Sequence, residues 1–184
     1  MEELTREYVN QVMYYVKEDV LEVVAEVMKY VPYSIIMILM VMVIFRNKRA
    51  VGVFLFMQYI VIVGYITLLS REPGSREGID FTVFATLGVW SRMDAFVIEN
   101  ILLFIPIGML LPFTWKRFQN VWWSFLAGGV LSAMIEGIQY VTKRGFVQLE
   151  DIVTNVMGTL IGFLLFSIIK LVHILVVRYI SNKM

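Results

Sequence analysis

Apolar residues fill five long stretches of this chain, at residues 30–45, 50–69, 95–114, 121–141 and 151–176, with most charges confined to the turns between them. A hydrocarbon core ~30 Å thick takes roughly 20 residues of α-helix, so each stretch predicts a membrane-spanning helix. The first is short and would borrow residues from the segment before it. That segment, 1–29, has a different pattern. Val9, Val12, Val16, Val20, Val23 and Val27 recur in steps of three and four, and Glu7, Glu18, Glu22 and Glu26 lie largely off that stripe. This is the pattern of an amphipathic helix. Pro32 punctuates entry into the first span. The loop between the second and third spans is too long for a simple turn. Its polar part reads SREPGSREG and its apolar part IDFTVFATLGVW. The apolar part predicts a re-entrant or interfacial segment, since non-helical backbone at membrane depth must be covered by protein or line a wet cavity. The expected fold is an all-α integral membrane protein, a five-transmembrane-helix bundle preceded by the amphipathic helix. The domain boundaries are 1–29 for that helix and 30–184 for the transmembrane domain.

Composition sharpens this. The chain has 184 residues, 59% hydrophobic and 17% charged, with a mean hydropathy of +0.77. A soluble domain of this size could not bury that much apolar surface. A net charge of +1 gives no case for nucleic acid. With no cysteine in the sequence, disulfides, thiolate metal sites and Cys nucleophiles are excluded. The first thirty residues are acidic and polar rather than a basic start followed by a short apolar core, so no cleavable signal peptide is expected.

Charge also gives an orientation. Arg46, Lys48 and Arg49 follow the first span, Lys116 and Arg117 the third, and Lys170, Arg178 and Lys183 mark the C-terminal end, with no acid among them. Five spans place all three groups on one side, which the positive-inside rule makes cytoplasmic. The N-terminal segment, with seven acids against three bases, and the loops 70–94 and 142–150 then lie outside. The N-terminus is expected outside and the C-terminus in the cytoplasm of a cell-membrane protein. Trp90, Tyr179, Trp115, Trp122 and Trp123 fit interfacial anchors.

A few polar groups sit within or beside the apolar stretches. Glu99 and Asn100 open the third span, Glu136 and Gln139 lie in the outer third of the fourth, and Asp151 and Asn155 open the fifth. Arg71 and Arg144 come from the outer loops. Under the expected topology all eight converge near one depth at the outer interface. Ser132, Glu136 and Gln139 share one helical face with Gly128 and Ser124, and Asp151, Asn155, Gly158 and Gly162 share another. The small residues of GTLIG allow helices to approach closely. Pro106 and Pro112 lack a backbone donor, and a bend there would free carbonyls that need partners.

An ionisable group near a helix centre costs about 2.5–3.5 kcal/mol on insertion scales, which makes Glu136 the costliest acid in the chain. It marks either a functional site or a structural pairing with Arg71 or Arg144. For Asn100, Gln139 and Asn155, interhelical hydrogen bonding is favoured over a site. Asp151 is also read as a helix N-cap, Glu99 as a water-facing acid, and Lys143 as a solvated charge. His173, the only histidine, lies near the cytoplasmic end, far from the acids. No His pair, HExxH, P-loop or GxSxG is present. Neither a metal nor a cofactor is expected.

The segments NILLFIPIGMLLP at 100–112, SAMIEGIQ at 132–139 and KRGFVQLEDIVTNVMGTLIG at 143–162 resemble the VanZ-like family. That family carries an Asn- and Pro-bearing span, a span with Ser, Glu and Gln at this spacing, an Arg, and an Asp-x-x-x-Asn-x-x-Gly helix. The resemblance covers residues 69–167, and Arg71 matches the family's Arg after the preceding span. The family's outer loop often holds an Asn-hydrophobic-Pro-Phe segment; IDFTVFATL here lacks that proline. The resemblance implies a cell-envelope role in tolerance of the lipoglycopeptide teicoplanin, with little effect on vancomycin.

Three functions compete. The first is binding or shielding at the outer membrane face. Membrane lipid, a lipid-linked cell-wall precursor or the lipoglycopeptide itself would be the ligand, held by Arg71, Arg144 and the amides. The second is a membrane-embedded enzyme acting on a lipid-linked or phospholipid headgroup, with Glu136 as general acid or base; no nucleophile motif supports it. The third is a membrane subunit that docks an unknown protein partner through residues 1–29. The lack of repeats argues against a repeat-built transporter.

Overall fold

The computed structural model describes residues 2–45, 47–74, 78–84 and 87–183. Arg46 of the first basic turn, and residues 75–77 and 85–86 of the long loop, lie outside the described residues. Among the described residues six α-helices carry the chain: α1 (Glu2–Met28), α2 (Val31–Phe45), α3 (Lys48–Gly64), α4 (Ser91–Thr114), α5 (Val121–Thr142) and α6 (Leu149–Ser181). A π-turn over Tyr65–Leu69 prolongs α3, and a 3₁₀ turn over Lys116–Gln119 joins α4 to α5.

Four helices are long and apolar enough to cross a membrane: α3 with its π-turn, α4, α5 and α6. The pair α1–α2, bent by 56° at the break between them, is a candidate fifth span. Alone, the 15 residues of α2 reach only about 22 Å. Pro32 sits in the first turn of α2, where its missing N–H costs nothing. The helix α6 is longer than expected, 33 residues or about 50 Å, and runs well past the end of α4.

The bundle is organised around α4 and α6, which run parallel and pack most extensively. Their contact is nearly backbone to backbone. Gly158 and Gly162, four residues apart on one face of α6, lie against the carbonyls of Ile101 and Ile105, and Gly108 of α4 lies against the carbonyl of Thr159. Beside that seam, Gly128 of α5 takes the Thr159 side chain. Each glycine removes the bulk that would hold the helices apart, as membrane helices require when packing rather than water exclusion drives association. The apolar core of Val63, Phe104, Ile107, Leu111 and Ile135 fills the space between α3, α4 and α5. Among the described residues nine polar or charged side chains are buried against eight hydrophobic ones, the polar set including Ser124, Ser132, Glu136, Gln139, Asn155 and Thr159, while large aliphatic side chains cover the outside. That inversion suits a lipid surround.

The two ends of the bundle differ in charge. At one end Gly52 of α3 lies against Thr114 of α4, and Lys170 donates to Gln119 at 2.7 Å, which gathers Lys48, Arg49, Lys116, Arg117 and Lys170 there. Here Arg117 lies 3.6 Å from the Trp123 ring. Trp115, expected as an interfacial anchor, packs edge-on against Phe56 and Phe118, while Trp90, Trp122 and Trp123 are exposed. The opposite, acidic end holds the long loop. A two-residue strand β1 (Ile79–Asp80) pairs in parallel with β2 (Val147–Gln148), so the loop is tied to the α5–α6 connection rather than lying free. A strand pair of two residues is too short to leave a periodic signal in the sequence. Next to it the Asp80 carboxylate accepts from the Thr82 N–H at 2.8 Å and its hydroxyl at 2.7 Å, which holds its pKa below the usual value.

The helix α1 lies across the acidic end and packs on the start of α4. Its buried stripe is rotated from the valine pattern: Val12 and Val16 are buried with Tyr8 and Tyr15 beside them, against Ala95 and Ile98, while Val9 and Val20 are exposed. Polar anchors on α4 explain the rotation. Tyr8 donates to Asp94 at 2.9 Å, and Arg92 pairs with Asp19 at 2.7 Å while lying over the Phe96 and Tyr15 rings.

Candidate functional site

The candidate site is built where α3 ends, α5 ends and α6 begins. At the end of α3 the last carbonyls have no partners within the helix, and the π-turn aims two of them at α5. Gln139, 2% exposed, donates its Nε2 to the Thr67 carbonyl at 3.0 Å. Arg144 donates Nη1 to the Leu68 carbonyl at 2.7 Å. A cation at a helix C-terminus also meets the negative end of the helix dipole. Arg144 reaches back because α5 ends at Lys143 in the left-handed conformation, φ 54° and ψ 37°, with the Arg144 N–H returning to the Gln139 carbonyl at 2.9 Å. The Lys143 side chain itself is exposed.

One turn back along α5, Glu136 is 3% exposed. Its Oε2 accepts from the backbone N–H of Gln148 at 3.0 Å. Gln148 is the residue that caps α6 and offers no side-chain cap of its own. The carboxylate of Glu136 therefore serves the positive N-terminus of α6 from a neighbouring helix. Asp151, expected as a cap, instead lies inside the first turn of α6. Its Oδ1 accepts from Asn100 Nδ2 at 2.8 Å, which ties α6 to α4. One turn deeper, Asn155 donates to Ser132 Oγ at 2.9 Å and ties α6 to α5.

Arg71 completes the group. Its guanidinium interacts electrostatically with both Glu136 and Asp151, and these two carboxylates also act on each other. Gly145 makes room for it: a Cβ there would come within 2.9 Å of Arg71 Nη1 and 3.2 Å of Gln139 Oε1. Arg71, not Arg144, is thus the cation that faces the two acids, buried Glu136 and half-buried Asp151. The carbonyl of Leu68 takes Arg144 instead.

Seven of the eight residues singled out by the sequence come together: Arg71, Asn100, Glu136, Gln139, Arg144, Asp151 and Asn155. Glu99 does not. Adjacent helical residues point about 100° apart, so with Asn100 turned to α6, Glu99 faces α1. There it lies 3.9 Å from Arg92 and interacts with Asp19. It is half-buried rather than water-facing. Sequence reasoning missed the main-chain partners, the carbonyls of Thr67 and Leu68 and the N–H of Gln148, because backbone groups carry no residue signature. It also missed Gly145, whose place between Lys143–Arg144 and the next helix was the one available cue. Among the described residues no three His, Asp or Glu side chains gather as a metal site.

Comparison with known proteins places this arrangement. No solved structure matches the chain. A curated relative, Protein VanZ of Enterococcus faecium, is 29% identical over 101 residues, which are 55% of this chain and 60% of the relative. The chain thus matches about 60% of the length of that relative. The family model VanZ/LLP1 matches residues 33–170, which include α3 to α5, most of α6 and all seven residues of the polar group. With most of the chain matched by that model, and four to five helices fit to cross a membrane, this multi-pass membrane protein belongs to the VanZ/LLP1 family.

Proposed function

We propose that this protein acts in the cell envelope by binding or shielding a lipid-associated ligand at its acidic end, and so contributes to lipoglycopeptide tolerance. The observation that carries the reading is the Glu136 carboxylate, 3% exposed and held on the Gln148 N–H at 3.0 Å, beside Asp151 and Arg71. A packing contact alone needs no second carboxylate and no guanidinium at the same depth. Clustered ionisable groups are costly in that setting and mark a functional site by default. The acidic end faces outward by the positive-inside rule, since Lys48, Arg49, Lys116, Arg117 and Lys170 gather at the other end. Residues 1–29 form an outer helix that covers the start of α4, and residues 30–184 form the membrane domain. Teicoplanin differs from vancomycin in its lipid tail, and a polar group beside the outer leaflet can act on tail insertion or on a lipid-linked wall precursor.

The test is teicoplanin and vancomycin susceptibility of a Gram-positive host that expresses wild type, Glu136→Gln or Glu136→Ala at matched membrane levels. Teicoplanin-selective protection by wild type, lost in both variants, is the expected result. Protection kept by Glu136→Gln and lost only in Glu136→Ala assigns the residue a hydrogen-bonding part without need of its charge. No protection by wild type rejects the tolerance role.

A further inference from the structure

The end of the bundle opposite the polar group carries positive charge without counter-charge. Lys48 and Arg49 open α3, Lys116 and Arg117 lie in the turn between α4 and α5, and Lys170 belongs to α6. Two contacts gather these distant segments. Gly52, one turn along α3 from Lys48, lies against Thr114, two residues before Lys116. Lys170 donates to Gln119 at 2.7 Å. All of these cations are exposed. Among the described residues none of them forms an ion pair with a carboxylate. The sequence supplies the reason, since residues 46–71, 100–135 and 152–184 hold no Asp or Glu. Both α3 and α5 begin at this end, so the positive ends of two helix dipoles add to the side-chain charge. The charges also stand over an apolar shelf. Phe113 in the last turn of α4 and Trp122 and Trp123 in the first turn of α5 are exposed. Arg117 lies over the Trp123 ring, 3.6 Å from its centroid, which holds a guanidinium at the level where interfacial Trp meets lipid headgroups.

We infer that the basic end, through Lys48, Arg49, Lys116 and Arg117, binds the phosphate headgroup of an anionic phospholipid in the adjoining leaflet. Clusters of Lys and Arg beside membrane helices attract anionic lipid with about 1 kcal/mol for each charge, and a guanidinium matches phosphate with two parallel hydrogen bonds. A free anion would neutralise the cations and leave the aromatic shelf uncovered. A lipid meets both, with its phosphate on the cations and its acyl chains along Phe113, Trp122 and Trp123. This surface lies at the other end of the bundle from Glu136, and the inference does not depend on the reading given there.

Purified full-length protein is incorporated into vesicles of phosphatidylglycerol and phosphatidylcholine in equal amounts, extracted gently, and the co-purifying lipid is quantified. Wild type is expected to retain phosphatidylglycerol at least about tenfold over phosphatidylcholine. The double variants Lys48→Gln/Arg49→Gln and Lys116→Gln/Arg117→Gln are each expected to lower that preference at least about fivefold. These side chains are exposed, so the unfolding temperature is expected to stay close to wild type. Arg6→Gln/Lys17→Gln removes the same charge from exposed positions of α1 and is expected to retain lipid as wild type does. Excess inorganic phosphate at matched ionic strength is expected to leave the retained lipid in place. An unchanged preference in the variant that combines all four basic-end substitutions overturns the proposal. So does an equal drop in the α1 variant, which would assign the effect to net charge. Displacement by phosphate would assign the surface to a free anion and overturn the lipid.

Discussion

Gly158 of α6 lies against the main-chain carbonyl of Ile101 in α4 with no room for a Cβ between them. Gly162 repeats the contact one turn on, at Ile105. This pair of contacts sets the distance between the two helices that carry Asn100 and Asp151, whose side chains meet at 2.8 Å. The polar group therefore depends on glycines that are themselves remote from its chemistry.

The glycine contacts give the first prediction. Gly158→Ala or Gly162→Ala overpacks the seam and is expected to cost about 1–3 kcal/mol, read as a lowered unfolding temperature in detergent. Gly137, on the same bundle, has open space where a Cβ would stand, with nothing within 4 Å. Gly137→Ala is expected to be neutral or to stabilise by up to about 1 kcal/mol through helix propensity. Equal effects at all three positions would remove the close α4–α6 contact as the cause.

Arg144 gives the second. Its hydrogen bond to the Leu68 carbonyl caps α3, so Arg144→Ala is expected to lower stability by about 1.5–3 kcal/mol, the range for a charged hydrogen bond. Arg144→Lys keeps the charge at the helix end but not the guanidinium reach, and its stability is expected to fall between wild type and the alanine variant. An unfolding temperature unchanged in Arg144→Ala would show that the α3 terminus needs no cap.

The third concerns orientation, and the absence of cysteine makes it simple. A single cysteine in place of Glu72, beside the acidic end, is expected to react with a membrane-impermeant maleimide on intact cells. One in place of Lys116 is expected to react only after the membrane is opened. The reverse pattern would invert the topology and put the buried polar group on the cytoplasmic side.

The helical bundle is largely legible in the sequence. Runs of apolar residues predict spans because the hydrocarbon core forces backbone hydrogen bonds inside each segment, and α3 to α6 fall on the predicted stretches. The α5 stripe of Ser124, Gly128, Ser132, Glu136 and Gln139 is legible too, since helical spacing alone puts these residues on one face, and all five are buried. The α1 stripe is less so. Valines at helical spacing predict the buried face, but Tyr8 and Asp19 turn inward to reach Asp94 and Arg92, leaving Val9 and Val20 outside. A hydrophobic pattern cannot anticipate a rotation set by polar partners on another helix.

By itself the sequence determined that the chain is a bundle of apolar helices, and which polar residues lie within them. Both follow from local rules, the period of the helix and the cost of exposing backbone or charge to hydrocarbon. Only the tertiary structure decided the partners. It sent Arg144 to the Leu68 carbonyl and left Arg71 with the acids, joined Glu136 to the N–H of Gln148, and turned Glu99 away toward α1. Those choices depend on where helix ends meet in space, and main-chain carbonyls and N–H groups at such ends look the same in every sequence.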